Sequence, residues 1–190
     1  MADSLPLGVL VSGRGSNLDA IAEAIETGRL VATIKVVICD QPGALALDLA
    51  SRRGLPAILF ERAAFSGRTA FEEEIVRTLL RYGVRLVVLA GFMRLVGPTL
   101  LSAFPNKIIN IHPSLLPSFP GLSAQRQALD YGVKFSGCTV HYVNGVVDGG
   151  RIIAQAVVPV QSDDTEETLS TRILTEEHRL LPQAIGFLVF

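Results

Sequence analysis

Apolar residues in this chain follow two rhythms that take turns. Residues 7–11, 33–39, 57–60, 86–90 and 108–111 form short runs, most of them apolar throughout. A strand with one wet face would alternate apolar and polar residues, so these runs read as strands covered on both faces. Between them lie residues 18–25, 44–53 and 69–82, and in the last of these Phe71, Ile75, Leu79 and Tyr82 recur at helical spacing. Strand and helix in alternation predict a parallel sheet with helices on both sides. After Gly121 the rhythm changes. Residues 135–143 and 151–159 read as longer strands joined by the turn-rich Asn144-Gly145-Val146-Val147-Asp148-Gly149-Gly150, which predicts an antiparallel pair added to the sheet. Asp164-Thr165-Glu166-Glu167 has capping-box spacing and starts a last helix that Pro182 limits. With no repeat or low-complexity tract between these elements, the expected fold class is α/β: a doubly wound, mostly parallel sheet with a C-terminal antiparallel strand pair.

Composition narrows what such a fold can be doing. The 190 residues, 49% hydrophobic and 18% charged, supply one full core and favour a single domain over residues 1–190. A net charge of −1 offers no broad attraction for nucleic acid or for an anionic membrane surface, so any anion recognition has to be local. Cys39 and Cys138 are far apart, fit no metal-ligand spacing and read as small buried hydrophobes in a reduced compartment. The start, Met1-Ala2-Asp3-Ser4, has no basic stretch, and the apolar runs are too short to span a bilayer. The expectation is a cytoplasmic protein, monomer or homodimer, with no membrane or nucleic-acid partner.

Polar residues gather where the strands end. Asn110 and His112 stand two apart at the end of an apolar run, and in a strand such residues point the same way. The first strand runs into Ser12-Gly13-Arg14-Gly15-Ser16-Asn17-Leu18, where glycines and a helix N-terminus favour phosphate. A dinucleotide fingerprint would need a third Gly at Leu18, although Asp40 ends the second strand about where a ribose-binding acid would lie. The Walker lysine is absent, so one phosphate fits better than three. A tight turn that binds nothing is the plain alternative. Asp148 alone is a solvated turn residue; folded over the strand end, it would pair with His112 and favour the imidazolium. An imidazolium and an amide aimed at one point stabilise charge on a carbonyl oxygen, which suits acyl transfer. A hydrolytic triad using Ser12, Ser16 or Ser114 lacks the G-x-S-x-G elbow. A zinc site at His112, His141 and His178 lacks both H-E-x-x-H spacing and a Cys pair, and His141, in an alternating strand, reads as structural or flanking.

Seven pieces now fall in a telling order: Ser12-Gly13-x-Gly15-Ser16-Asn17-Leu18, Leu89-Ala90-Gly91-Phe92-Met93-Arg94, Asn110-Ile111-His112-Pro113-Ser114-Leu115-Leu116-Pro117, Gln127-Ala128-Leu129, Gly137-Cys138-Thr139-Val140-His141, Asp148-Gly149-Gly150 and Glu177-His178. In this order and at these spacings the chain resembles the phosphoribosylglycinamide formyltransferases of purine biosynthesis, from the first strand to the last helix. The resemblance implies a Rossmann-like formyltransferase fold whose N-terminal half binds the nucleotide and whose C-terminal half completes a folate cleft. It implies that Gly15, Ser16 and Asn17 hold the phosphate of glycinamide ribonucleotide, with Glu177 placed for ribose hydroxyls. It implies that Arg68, Met93, Arg94, Leu95 and Val96 form the folate cleft with Asn110 and the loop of Asn144, Gly145, Val146, Val147 and Asp148, Arg94 meeting the glutamate tail.

The implied reaction is direct transfer from 10-formyltetrahydrofolate, a co-substrate, to the amine of glycinamide ribonucleotide, with no metal. Asn110 and protonated His112 would hold the oxyanion while Asp148 supports the cation. Three features depart from the family pattern. Leu174 stands where relatives can carry Lys or Gln beside the phosphate, and Arg14 is the expected substitute for that charge. Gln125 stands where relatives often have His and Ser123 also differs, in a segment read as a flexible connection. A formyltetrahydrofolate hydrolase would use the same three residues on water but carries an N-terminal regulatory domain, for which the chain has no room before Leu7. An initiator-tRNA formyltransferase would need a basic C-terminal extension. A non-catalytic nucleotide-binding module remains the alternative from another class.

Overall fold

Each apolar run becomes a strand, and all but the edge strand at 57–59 are walled in from both sides. The computed structural model describes residues 4–189; residues 1–3 and 190, and with them most of the reading of the N-terminal charge pattern, lie outside the described residues. The strands are β1 (Leu5–Val11), β2 (Ala32–Cys39), β3 (Ala57–Leu59), β4 (Leu86–Leu89), β5 (Ile108–His112), β6 (Phe135–Tyr142) and β7 (Ile152–Pro159). They form one sheet in the order β3-β2-β1-β4-β5-β6-β7. The first five are parallel, and β6 and β7 run antiparallel to their neighbours, as the change of rhythm after Gly121 predicts.

The helices are α1 (Ser16–Glu26), α2 (Leu45–Arg52), α3 (Arg68–Arg81), α4 (Pro98–Ala103), α5 (Ala124–Tyr131) and α6 (Glu166–Gly186). Successive strand residues feed opposite cores. Val9, Val88 and Ile109 join Leu18 and Ile21 of α1 and Ile173 and Leu181 of α6 on one face. Leu10, Val87 and Ile108 join Phe71, Ile75 and Leu79 of α3 and Leu100 of α4 on the other. Every second residue of an alternating strand would have left one of these cores polar. No helix among the described residues is long and apolar enough to cross a membrane.

Three expectations need correction. α6 does not stop at Pro182 but continues to Gly186. A proline inside a helix forfeits one hydrogen bond and crowds the preceding turn, at a cost of about 3 kcal/mol. Leu180, Leu181 and Ile185 are buried around it, and burying each such side chain contributes about 1.5–3 kcal/mol, so packing wins. The cap of α6 also lies one residue later than expected. Thr165 accepts the Thr168 N–H at 3.2 Å and its own N–H donates to Thr168 Oγ1 at 2.9 Å, while Asp164 pairs with Arg172 at 2.7 Å. The segment read as a flexible connection is α5: Ala124 and Ala128 are buried one turn apart, and Gly132 ends the helix at φ +82°. At six residues, α4 is too short to show a period, although Pro98 at its first position is a start signal.

Candidate active site

The sheet order reverses direction between β1 and β4, and in an open α/β sheet the crevice beyond the strand ends at such a point is where ligands bind. β1 leads there into α1 through Gly15, at φ +80°, where a Cβ would lie 2.9 Å from Ala46 Cα, so only glycine fits this turn. A cleft of about 640 Å³ opens between the α1 N-terminus and Ser170, Thr171, Leu174 and Glu177 of α6. Asn17 Nδ2 donates to Glu177 Oε2 at 2.8 Å, both side chains being buried. Burial raises the Glu177 pKa, and the Asn17 hydrogen bond only partly opposes it. Asn17 Oδ1 is buried with no partner. Arg14 is the one cationic side chain among the described residues lining this cleft. A helix N-terminus, a guanidinium and a buried polar pair together make a seat for an anion carrying hydroxyl groups.

Beside it the polar residues of β5 meet those of β6 and the loop after it. β5 places Asn110 opposite His141 and His112 opposite Thr139. Asn110 Nδ2 lies 3.2 Å from His141 Nε2, and His141 Nδ1 donates to the Tyr142 carbonyl at 2.9 Å. Asp148 sits over the strand end at φ +50°, a left-handed conformation that Asp tolerates better than most residues. Its Oδ2 lies 3.3 Å from His112 Nδ1 and accepts the Gly121 N–H at 2.8 Å; its Oδ1 lies 3.6 Å from His141 Nε2. Burial alone would raise the Asp148 pKa. The His141 hydrogen bond, the Gly121 N–H and the charges of His112 and His141 outweigh it and hold the carboxylate below its usual range. His112 Nε2 lies 2.9 Å from the Phe119 carbonyl, so both of its ring nitrogens face acceptors and the doubly protonated ring satisfies both.

A second cleft, about 330 Å³, lies between α3 and the turn from β4 to α4 and shares Met93 with the first. Its turn is anchored at every side. Ser12 N–H donates to the Gly91 carbonyl at 3.0 Å, and Ser12 Oγ accepts the Met93 N–H at 2.8 Å. The buried Glu72 accepts from Gly97 N–H at 2.6 Å, Leu100 N–H at 3.3 Å and Arg68 Nε at 3.0 Å. Arg68 Nη2 donates to the Leu95 carbonyl at 3.0 Å. Met93 and Leu95, both on this lining, leave apolar side chains exposed.

The formyl transferase family model matches residues 7–185. The chain belongs to the formyl transferase family. It is 44% identical over 177 residues to the phosphoribosylglycinamide formyltransferase of Bacillus subtilis (strain 168), aligning 93% of this chain and 91% of that protein. It is 43% identical over 183 residues to the trifunctional purine biosynthetic protein adenosine-3 of Drosophila melanogaster, aligning 95% of this chain but only 14% of that protein's length. Among solved structures, glycinamide ribonucleotide transformylase 1 from Symbiobacterium toebii superposes with a TM-score of 0.98 at 52% identity, over 100% of this chain and 89% of that one.

Within this formyl transferase most of the sequence-derived candidates converge. Asn110, His112 and Asp148 form one cluster; Gly15, Ser16, Asn17 and Glu177 line the first cleft; Arg68, Met93, Arg94, Leu95 and Val96 line the second. Asn144 folds its own loop, its Oδ1 accepting the Val146 N–H at 2.9 Å. Arg94 is not presented as expected: its Nε pairs with Asp40, whose side chain is fully buried, and its guanidinium lies against the Phe71 ring. Asp40 is thereby also removed from any contact with a ribose. Ser114, a candidate nucleophile, is buried with its hydroxyl donating to the Ser118 carbonyl. The sequence reading set His141 aside as structural or flanking and did not single out Arg62; the register that brings His141 to Asn110, and the turn that puts Arg62 on the second cleft, leave no local signal.

Proposed function

We propose that this chain transfers the formyl group of 10-formyltetrahydrofolate to the amine of glycinamide ribonucleotide, in purine biosynthesis. The observation that carries the proposal is the meeting of two clefts at Met93 beside the Asn110, His112 and Asp148 cluster. The first cleft takes the nucleotide: the Gly15, Ser16 and Asn17 turn holds its phosphate, and Glu177 meets its ribose hydroxyls. The second takes the folate, whose heterocycle lies against the turn of Met93, Leu95 and Val96 and the loop of Asn144, Gly145, Val146 and Val147, with Arg68 toward its acidic tail.

When bound, the folate supplies an activated formyl carbon, and the chain's residues do the rest. Binding both substrates across one boundary turns a bimolecular encounter into an intramolecular one. Asp148, ionised throughout the physiological range, holds the His112 ring through Nδ1 and steadies its positive charge. His112 Nε2 then faces the formyl oxygen with Asn110 Nδ2, and the two donors stabilise the oxyanion formed as the amine attacks. The Phe119 carbonyl occupies the Nε2 position here and gives way to that oxygen. His112 delivers its proton to the departing folate nitrogen, and the proton leaving the attacking amine returns through a water beside Asp148 to reprotonate the ring.

The deciding experiment follows 10-formyltetrahydrofolate consumption with and without glycinamide ribonucleotide, beside a His112→Ala control. Consumption that needs the nucleotide and disappears in the control is the expected result. Nucleotide-independent consumption would instead identify a hydrolase, and none at all a binding module.

A further inference from the structure

His141 is buried beside the Asn110, His112 and Asp148 cluster, and the proposed steps give it no part. An irregularity in the sheet brings it there. Between Val140 and His141 the register of β6 on β7 shifts, from Val140 opposite Ala154 to His141 opposite Ile152, so β7 carries one extra residue at that point. Such a bulge bends the strand and re-aims the side chains around it. The Tyr142 carbonyl meets the His141 ring, and a Cβ at Gly150 would lie 1.6 Å from that oxygen, so only glycine lets the returning chain pass this close. A carbonyl can only accept, so His141 Nδ1, 2.9 Å from it, holds a proton. A neutral ring has no second proton, which leaves Nε2 an acceptor. Nε2 faces Asn110 Nδ2 at 3.2 Å and Asp148 Oδ1 at 3.6 Å. It serves one at a time: a charged ring would donate to the carboxylate, and a neutral one accepts from the amide. Asp148 stands between two rings with a single negative charge, and His112 Nδ1 lies nearer to it, at 3.3 Å. One carboxylate balances one imidazolium, so the charge belongs to His112 and His141 is the neutral ring.

We infer that His141 is a positioning residue for the transfer: its bare Nε2 fixes the side-chain amide of Asn110 so that Nδ2, and not Oδ1, is presented to the reacting oxygen. The inference rests on the proposed function, under which Asn110 donates to the oxyanion. A primary amide is nearly symmetric in shape, and half a turn about its last bond would put a lone pair where the donor belongs. An oxygen in that place would repel the charge that the site has to hold. Nε2 takes one of the two Nδ2 hydrogens and rejects Oδ1, which leaves the second hydrogen free for the formyl oxygen. Asn110 is thus set before either substrate arrives. The two imidazoles divide the work, the charged His112 as donor and the neutral His141 as acceptor.

The test compares His141→Phe, which keeps a ring without an acceptor, and His141→Gln, whose amide oxygen can stand where Nε2 stands, each in the parent protein and in an Asn110→Ala background. Thermal melting checks folding. His141→Phe is expected to lower kcat about tenfold, the worth of one hydrogen bond, with both KM values within about twofold, and His141→Gln to recover most of the loss. In the Asn110→Ala protein, His141→Phe should change kcat by less than about twofold, because no amide is left to orient. An equal loss in both backgrounds overturns the inference, and so does a parent-like kcat in His141→Phe. Nitrogen-15 NMR of histidine-labelled protein reads the ring directly: Nδ1 protonated and Nε2 bare is the expected result at neutral pH, and a proton on Nε2 overturns the inference whatever the kinetics. If the parent protein shows no nucleotide-dependent turnover, the proposed function fails by itself. The ring spectrum, with the Asn110 side-chain amide shift compared between the parent and His141→Phe, then still decides whether the pair exists.

Discussion

The two clefts are prepared for their ligands in opposite ways. In the first, the polar groups are left wanting: among the described residues Asn17 Oδ1 has no partner and Arg14 is the one cation on the lining, and Glu177 resists ionisation. In the second, Arg94 and Arg68 are tied down by buried acids, and the turn between them is hydrogen-bonded at Met93, Leu95 and Gly97. A small charged ligand can complete a site whose own groups are unsatisfied, because it brings the missing partner with it. A large flat ligand gains more from a surface already held in its bound shape. The contrast locates affinity in individual polar groups on one side and in scaffold rigidity on the other.

Substitutions can test that contrast at graded depth. The largest effect belongs to the boundary between the clefts: Asp148→Asn is expected to lower kcat about a thousandfold while both KM values stay within about threefold, as steady-state kinetics would show. A collapse of binding with normal turnover would remove Asp148 from the chemistry. Next is the rigid side. Glu72→Ala leaves two amide N–H groups and a guanidinium without their acceptor, and should cost about 3 kcal/mol in denaturant unfolding, with the folate KM rising and the nucleotide KM unmoved. A folate KM that ignores the loss would mean the turn needs no brace.

On the unsatisfied side the effects should be smaller and confined to the nucleotide. Arg14→Ala is expected to raise the nucleotide KM about tenfold, less at high salt, and an unchanged KM would show that the helix N-terminus suffices. Glu177→Gln sets binding against stability. A carboxyl group whose folded pKa is raised is fully tolerated below its unfolded pKa, and stability is lost as pH rises through the folded pKa. The Gln variant should therefore melt higher than the parent protein by about 2–4 °C at neutral pH, with the difference vanishing near pH 4, while its nucleotide KM rises. Asp148 has the opposite sign: its folded pKa is lowered, so the stability it contributes is present at neutral pH and lost in acid, as pH falls through that value.

What the sequence revealed follows the range of the interactions involved. The strands were legible because continuous apolar runs are a local consequence of burial on both faces, and Asn110 with His112 because the two-residue repeat of a strand is local as well. The Asp148 contact was legible only conditionally, since it needs the loop after β6 to fold back onto β5. Pro182 misled because helix propensity is local, while the burial of Leu181 and Ile185 that overrides it is not. Arg94 lines the second cleft beside Met93, Leu95 and Val96, but its orientation is set by Asp40, 54 residues away. His141 depends on a strand register that no spacing encodes.

Ser12 gives the clefts a fixed separation. Its two hydrogen bonds fasten the end of β1 to the turn after β4, so the walls of the two clefts hang from one fastening and move together. The molecule therefore contains its own ruler. A single inhibitor carrying a phosphate at one end and a pterin-like ring at the other should have one best linker length, with affinity falling steeply when the linker is a few atoms too short and slowly when it is too long.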